Sequence, residues 1–233
     1  MDWIWDGIVQ AFQLLLEGNS EVIQITLLSL QVSGVATGLS LLVGLPLGTA
    51  LALDRFRTRK FWLTLINTGM ALPPVVVGLV VSIFLWRNGP LGMLELMYTP
   101  AAIVIAQFII AAPIVTGLTV AALQQLDSRL QIQLLGLGAS RWQMILLMWR
   151  EARLPLLAAT MAGFGGVISE VGASMMVGGN LRHHTRVLTT AIVLENSRGE
   201  FAMAIALSVI LLMLAYLVTF SLTWIQQRGA QRG

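Results

Sequence analysis

Charged residues are sparse along this chain, and the intervals between them define its elements. Uncharged runs cover residues 22–53, 61–86, 96–126 and 201–227, and a further stretch, 154–181, carries only Glu170. Each exceeds the roughly 20 residues with which a helix crosses a hydrocarbon layer about 30 Å thick. The pattern predicts an all-α, polytopic integral membrane protein with five transmembrane helices, at about 22–53, 61–86, 96–126, 154–177 and 201–226, within one domain over residues 1–233. Before the first span, Trp3, Trp5, Phe12 and the leucines up to Leu16 predict a short interfacial helix. Asp2 and Asp6 make the start acidic where a secretory signal peptide is basic, so no cleaved leader is expected.

Two segments between spans have patterns of their own. Residues 127–153 carry apolar positions at Leu130, Leu134 and Leu137, then at Trp142, Ile145, Leu146 and Trp149, with arginines between them. This is the spacing of two short amphipathic helices, which either lie on the bilayer or dock a partner. Residues 177–200 include Arg182, His183, His184 and Arg186, a locally positive stretch. Within the spans, Gly34, Gly38, Gly44 and Gly48 form two small-xxx-small pairs, and Pro46, Pro73, Pro74 and Pro113 interrupt the apolar runs. Such residues serve ordinary bundle packing, or they break helices so that freed backbone groups line a path.

Composition sharpens the picture. With 57% hydrophobic and 11% charged residues, a soluble domain would have too few charges to cover its surface. The charges are also unevenly placed. Segments 54–60, 127–153 and 228–233 hold Arg55, Arg57, Arg59, Lys60, Arg129, Arg141, Arg150, Arg153, Arg228 and Arg232. The positive-inside bias makes these segments cytoplasmic, which puts the N-terminus outside and the C-terminus inside. The cations form no basic face interleaved with aromatics, so a nucleic-acid partner is not expected despite a pI near 10.2.

Most catalytic chemistry is excluded. The chain has no cysteine, hence no disulfide, thiolate metal site or cysteine nucleophile. Its single lysine, Lys60, precedes Phe61, so no phosphate-binding loop exists. His183 and His184 are adjacent rather than a helical turn apart, and Asp2, Asp6, Asp54 and Asp127 are scattered, so no metal site is expected. Neither a catalytic residue nor a cofactor bound by this chain is expected. Glu170 is the one ionisable group deep in a span, either a functional residue or a hydrogen-bonded contact between helices. No second titratable group lies at similar depth, which argues against a proton-coupled carrier.

The order of parts, with a long basic segment between spans three and four, resembles the permease subunit of a binding-protein-dependent ABC importer. The local match is Leu137-Gly138-Ala139-Ser140, followed by Leu154-Pro155. Upstream, Ile132-Gln133-Leu134 stands where most of that family has Glu-Ala-Ala, and the spacing to Leu154-Pro155 is about one helical turn longer. These departures, with Arg150-Glu151-Ala152-Arg153, are similar to the tungstate branch of the oxyanion importers. So are the runs from Ile168 to Ala173, from Met176 to Asn180 and from Thr185 to Glu195.

The resemblance implies a type I ABC importer permease fold in the inner membrane, working by alternating access as a homodimer. It further implies two ABC ATPase subunits, which use ATP and Mg, seated on residues 130–153, and an outer solute-binding protein delivering tungstate. Leu137, Gly138, Ala139, Ser140 and Arg141 would form the coupling contact. Ser169, Glu170, Ser174, Met175 and Met176 would lie at the pathway or gate, while Arg182 and Arg186 would meet the binding protein or attract the anion. Because a carboxylate repels a dianion, Glu170 is expected to face a neighbouring helix or the partner subunit. A molybdate or sulfate permease is the near alternative, and an ATP-independent channel or secondary carrier the alternative of another class.

Overall fold

The computed structural model describes residues 2–54 and 56–230. Met1, Arg55 and residues 231–233 lie outside the described residues, as do the side chains of Asp2, Trp3, Leu15, Ser128 and residues 228–230. The charges of Arg55, Arg228 and Arg232 therefore enter the topology by sequence alone.

The described chain is helical throughout: α1 (Asp2–Leu16), α2 (Ser20–Leu53), α3 (Arg59–Met70), α4 (Pro74–Leu85), α5 (Pro100–Gln124), α6 (Ser128–Gly136), α7 (Arg141–Glu151), α8 (Arg153–Ile168), α9 (Gly172–Gly178), α10 (Leu188–Arg198) and α11 (Phe201–Ala230), with a short 3-10 turn at Gly92–Leu94. Helices α2, α5 and α11 are each long and apolar enough to cross a membrane. At about 1.5 Å per residue, the 34 residues of α2 reach roughly 50 Å, so its two ends mark opposite ends of the bundle. Asn19 starts α2 by accepting from the backbone N–H groups of Glu21 (3.1 Å) and Val22 (3.2 Å).

The expected spans 61–86 and 154–177 are not continuous helices. α3 and α4 meet at 101°, and α8 and α9 at 57°, so the count reaches five only when each bent pair is one span. The first break follows from Pro73-Pro74: each proline pushes its predecessor out of the helical region, and Pro73 itself is extended (φ −62°, ψ 126°). The second has no proline and is set by Glu170. The expected third span, 96–126, begins as a helix only at Pro100, where Thr99 caps α5 and Pro100 occupies its first turn.

Three apolar clusters hold the helices together. The largest joins Val32 of α2, Val77, Val81 and Leu85 of α4, Ile103 and Ala106 of α5, Val167 of α8 and Val177 of α9. A second packs α1, through Ala11 and Leu14, with Leu188 and Ala191 of α10 and Leu207 and Ile210 of α11. The third, around Met144 and Met148, seats α7 beneath the bundle. Gly44 and Gly48 let α2 approach α5 so closely that a Cβ on Gly48 would stand 2.9 Å from the Thr116 carbonyl oxygen. Gly34 and Gly38 face open space instead. Buried hydroxyls on α2 are satisfied along the helix itself, Thr37 donating to the Ser33 carbonyl and Ser40 to that of Ala36.

Candidate functional site

At the end of the bundle marked by Asp54, α6 and α7 form the expected pair of short helices. Gly138 turns the chain between them at φ 82°, a left-handed conformation that glycine adopts without Cβ strain. Ser140 then starts α7 with a reciprocal cap: Gln143 N–H donates to its hydroxyl (3.3 Å), and its own N–H donates to the Gln143 side chain (2.8 Å). Arg141 pairs with Asp54 at 2.5 Å, and the Trp149 indole donates to Thr49 at 2.8 Å, so α7 is tied twice to α2. Its inner face packs Met144 and Met148 against Leu123, Leu53 and Leu156. On the outer side of the α6–α7 pair, Ile132 of α6, Leu137 of the turn and Trp142 of α7 are uncovered, 72%, 85% and 68% exposed. Water does not favour such a patch, and its size and position suit an interaction surface.

At mid-chain the break between α8 and α9 is built around Glu170, which is 6% exposed. Its carboxylate accepts from the N–H groups of Ala173 (2.7 Å) and Ser174 (3.0 Å) and from the Ser174 hydroxyl (3.0 Å). These are donors that a helix start leaves unpaired, so the carboxylate serves the first turn of α9. The Thr189 hydroxyl donates to the Glu170 carbonyl at 2.9 Å, tying the break to α10. Buried Gln107 of α5 donates to the Val167 carbonyl at the end of α8 (3.1 Å). The Glu170 carboxylate is thus bonded within its own span, and the ties to α5 and α10 run through the backbone carbonyls of Val167 and Glu170. Ser174 is 1% exposed and bonded to Glu170, so its hydroxyl is turned inward within the chain. Ser169 is exposed, its hydroxyl bonded back to the Gly165 carbonyl at 2.8 Å. Met175 and Met176 are half-buried on α9, which packs on α4 where Gly78 meets Ala173.

At the other end of α2, residues 179–187 form a loop held by its own hydrogen bonds. Leu181 accepts at its carbonyl from the N–H groups of His184, Thr185 and Arg186 (3.0–3.1 Å). The buried Thr185 hydroxyl donates to the Gly178 carbonyl and accepts from Leu181 N–H. Gly179, Asn180 and His183 all take positive φ, 68°, 52° and 62°. The loop presents its cations to α2. Arg182 grips Glu21 with two bonds, 2.9 and 2.6 Å, and Arg186 reaches the same carboxylate at 3.3 Å. The Glu21 carboxylate raises the pKa of the Arg182 guanidinium further above its ordinary value. His183 Nδ1 lies 3.2 Å from the Gln24 side-chain oxygen. Neither Arg182 nor Arg186 stands free: both are paired within the chain, and the Arg186 side chain is only 12% exposed.

Glu21, Asp54, Gln107 and Thr189 were missed by sequence reasoning. An acidic residue in the first turn after Asn19 signals a helix start, but nothing local reveals a partner at position 182. Among the described residues no group of three or more His, Cys, Asp or Glu side chains is placed to hold a metal ion.

The family described as "Binding-protein-dependent transport system inner membrane component" matches residues 44–231. The tungstate uptake system permease protein TupB of Peptoclostridium acidaminophilum is 40% identical over 218 residues, covering 94% of this chain and 96% of that protein. TupB of Campylobacter jejuni is 34% identical over 220 residues, covering 94% and 92%. Among solved structures, the inward-facing MetNI methionine ABC transporter aligns with a TM-score of 0.74 at 20% identity, over 90% of this chain and 96% of the matched chain, and so shares the fold. The bent spans, the capped pair α6–α7 and the sequence match together place the chain in one family: it belongs to the inner membrane components of binding-protein-dependent transport systems.

Proposed function

We propose that the chain is the permease of an ATP-driven tungstate uptake system, passing the anion by alternating access. The observation that carries the mechanism is the seating of α7. One face is packed on α2, α5 and α8 through Met144, Met148 and Trp149, while Trp142 on the outer side and Leu137 of the preceding turn are bare. A partner pressed against that bare face moves the ends of three bundle helices together. The chain has no phosphate-binding loop of its own, so the driving partners are two ABC ATPase subunits, which consume ATP and Mg. Leu137 to Arg141 form the coupling contact, with Gly138 as its turn.

In this reading the α6–α7 end is cytoplasmic and the loop at residues 179–187 is outer, with the N-terminus outside and the C-terminus inside, following the cation bias. Two copies of the permease form the pathway. It runs past the exposed side of α8, where Gly165 and Ser169 leave room and hydroxyl contact, with Met175 and Met176 near the gate. Weak, small contacts suit a path the ion must leave, because an outer binding protein has already selected it. Arg182, 63% exposed in its pair with Glu21, faces that binding protein. Tungstate as the cargo is supported by the two TupB relatives and by the resemblance of the runs Ile168 to Ala173, Met176 to Asn180 and Thr185 to Glu195.

The test is to purify the permease with its ATPase, reconstitute both in liposomes and add binding protein loaded with tungstate, molybdate or sulfate. Stimulated ATP hydrolysis with tungstate is expected. Stimulation by molybdate or sulfate alone would reassign the cargo, and no stimulation by any anion would overturn the importer reading.

A further inference from the structure

The loop at residues 179–187 and the start of α2 enclose a cavity of about 180 Å³, lined chiefly by Glu21, Gln24, Gln31, His183, His184 and Arg186. Those six side chains carry hydrogen-bonding groups, and Ile25 and Leu28 complete the wall. Two features mark it as built to receive an anion. First, Arg186 lines the cavity with its side chain mostly buried and held by Glu21, and its Nε–H is enclosed without an acceptor, so an oxygen ligand reaches it only once the Glu21 pair opens. A buried donor left unpaired costs about 1–3 kcal/mol, so it is a standing vacancy for an oxygen ligand. Second, the donors are held in advance. His183 and Asn180 keep positive φ, at a cost that persists only because the Thr185 and Leu181 bonds fix the loop around them.

The one carboxylate in the cavity is Glu21, and its geometry is that of a ligand. Its two oxygens take a bidentate pair from Arg182 and a third bond from Arg186. A tetrahedral oxyanion presents oxygens to guanidinium forks in the same way, with twice the charge. On the α2 surface, Gln24, Gln31 and Gly38 follow at seven-residue spacing, which keeps them on one helix face, and all three are exposed. The cavity therefore opens onto a strip of the first span with amide groups and then no side chain at all.

We propose that this cavity is the first stop for a tetrahedral oxyanion dianion on the permease, with Glu21 occupying the arginine pair until the ion displaces it. The displaced carboxylate releases the loop at residues 179–187 from α2, which couples arrival of the ion to a change at the outer mouth. Arg186 supplies a donor from the wall, Arg182 stands outside the lining beside Glu21 and is freed at the rim when that carboxylate moves, and Gln24, Gln31 and the two histidines complete the shell. The inference rests on the reading that this end of the bundle faces outward and that the cargo is an oxyanion.

The experiment measures tungstate bound to the purified permease in nanodiscs, without binding protein, by equilibrium dialysis with elemental quantification of tungsten. Saturable binding that sulfate displaces and chloride does not is expected. Glu21→Gln removes the competing carboxylate and should tighten binding by roughly tenfold, a gain that misfolding cannot imitate. Arg186→Gln should weaken it by roughly tenfold or more. Arg198→Gln, whose partner is Glu195 at 3.0 Å, should leave it unchanged. Absence of saturable binding, or unchanged or weaker binding in Glu21→Gln, overturns the inference. Binding here together with an ATPase that tungstate-loaded receptor does not stimulate leaves the cavity in place and removes the transport reading; the reverse pattern removes only the cavity.

Discussion

A carboxylate inside an apolar span costs several kcal/mol unless its oxygens are filled. Glu170 fills both within four residues, accepting three hydrogen bonds from Ala173 and Ser174. Its charge is a structural device that starts α9 where no proline stops α8. Glu170→Ala orphans these donors and should lower the unfolding free energy by about 1–3 kcal/mol or more. Glu170→Gln, which keeps one acceptor oxygen, should fall between it and the parent. Thermal unfolding in detergent reads both, and a Glu170→Ala protein as stable as the parent would show that the bonds contribute nothing. The two glycine pairs of α2 make a second contrast at this scale. Gly48→Leu drives a side chain into Thr119 and the Thr116 carbonyl and should cost about 1–3 kcal/mol, whereas Gly34→Leu enters open space and should leave the stability of the chain near that of the parent.

Among the elements, α6 and α7 carry the account. Gly138 stands at φ 82° with nothing within 4 Å of an added Cβ, so a substitution there is penalised by backbone conformation and not by crowding. Gly138→Val should tilt α6 against α7 at a cost of about 1–2 kcal/mol. Stimulation of the partner ATPase should drop while membrane insertion, followed by protease protection, stays normal; failed insertion would make the turn merely structural. The pair of short helices was legible in the sequence because its apolar spacing is a local signal, whereas the Ser140 cap, equally local, was not read. The long apolar helices α2 and α11 were legible for the same reason, each following one charge-free run. The 101° bend was only half legible. Pro73-Pro74 announces a break, but Pro46 and Pro113 lie inside continuous helices, so proline alone does not fix where a span gives way. The bend at Glu170 looked instead like a lone intramembrane charge, because its partners are backbone N–H groups that a sequence does not display.

At the scale of the whole molecule, what the sequence withheld is long-range. Glu21 meets Arg182 across 161 positions, and Asp54 meets Arg141 across 87, so a stretch that reads as a free positive patch is already paired. These two ion pairs stand at opposite ends of α2, one at the loop beside the proposed anion cavity and the other beside the coupling helices. A single helix of 34 residues thus runs from the proposed anion cavity to the proposed coupling contact. Coupling between the two sites requires an element whose equilibrium both of them bias, and α2 is bonded at both ends to the groups involved. The most direct measurement is tungstate uptake into proteoliposomes containing the permease with its binding protein, with and without the ATPase subunits and ATP. The account predicts accumulation only when ATPase and ATP are both present. Uptake by the permease without them would contradict it.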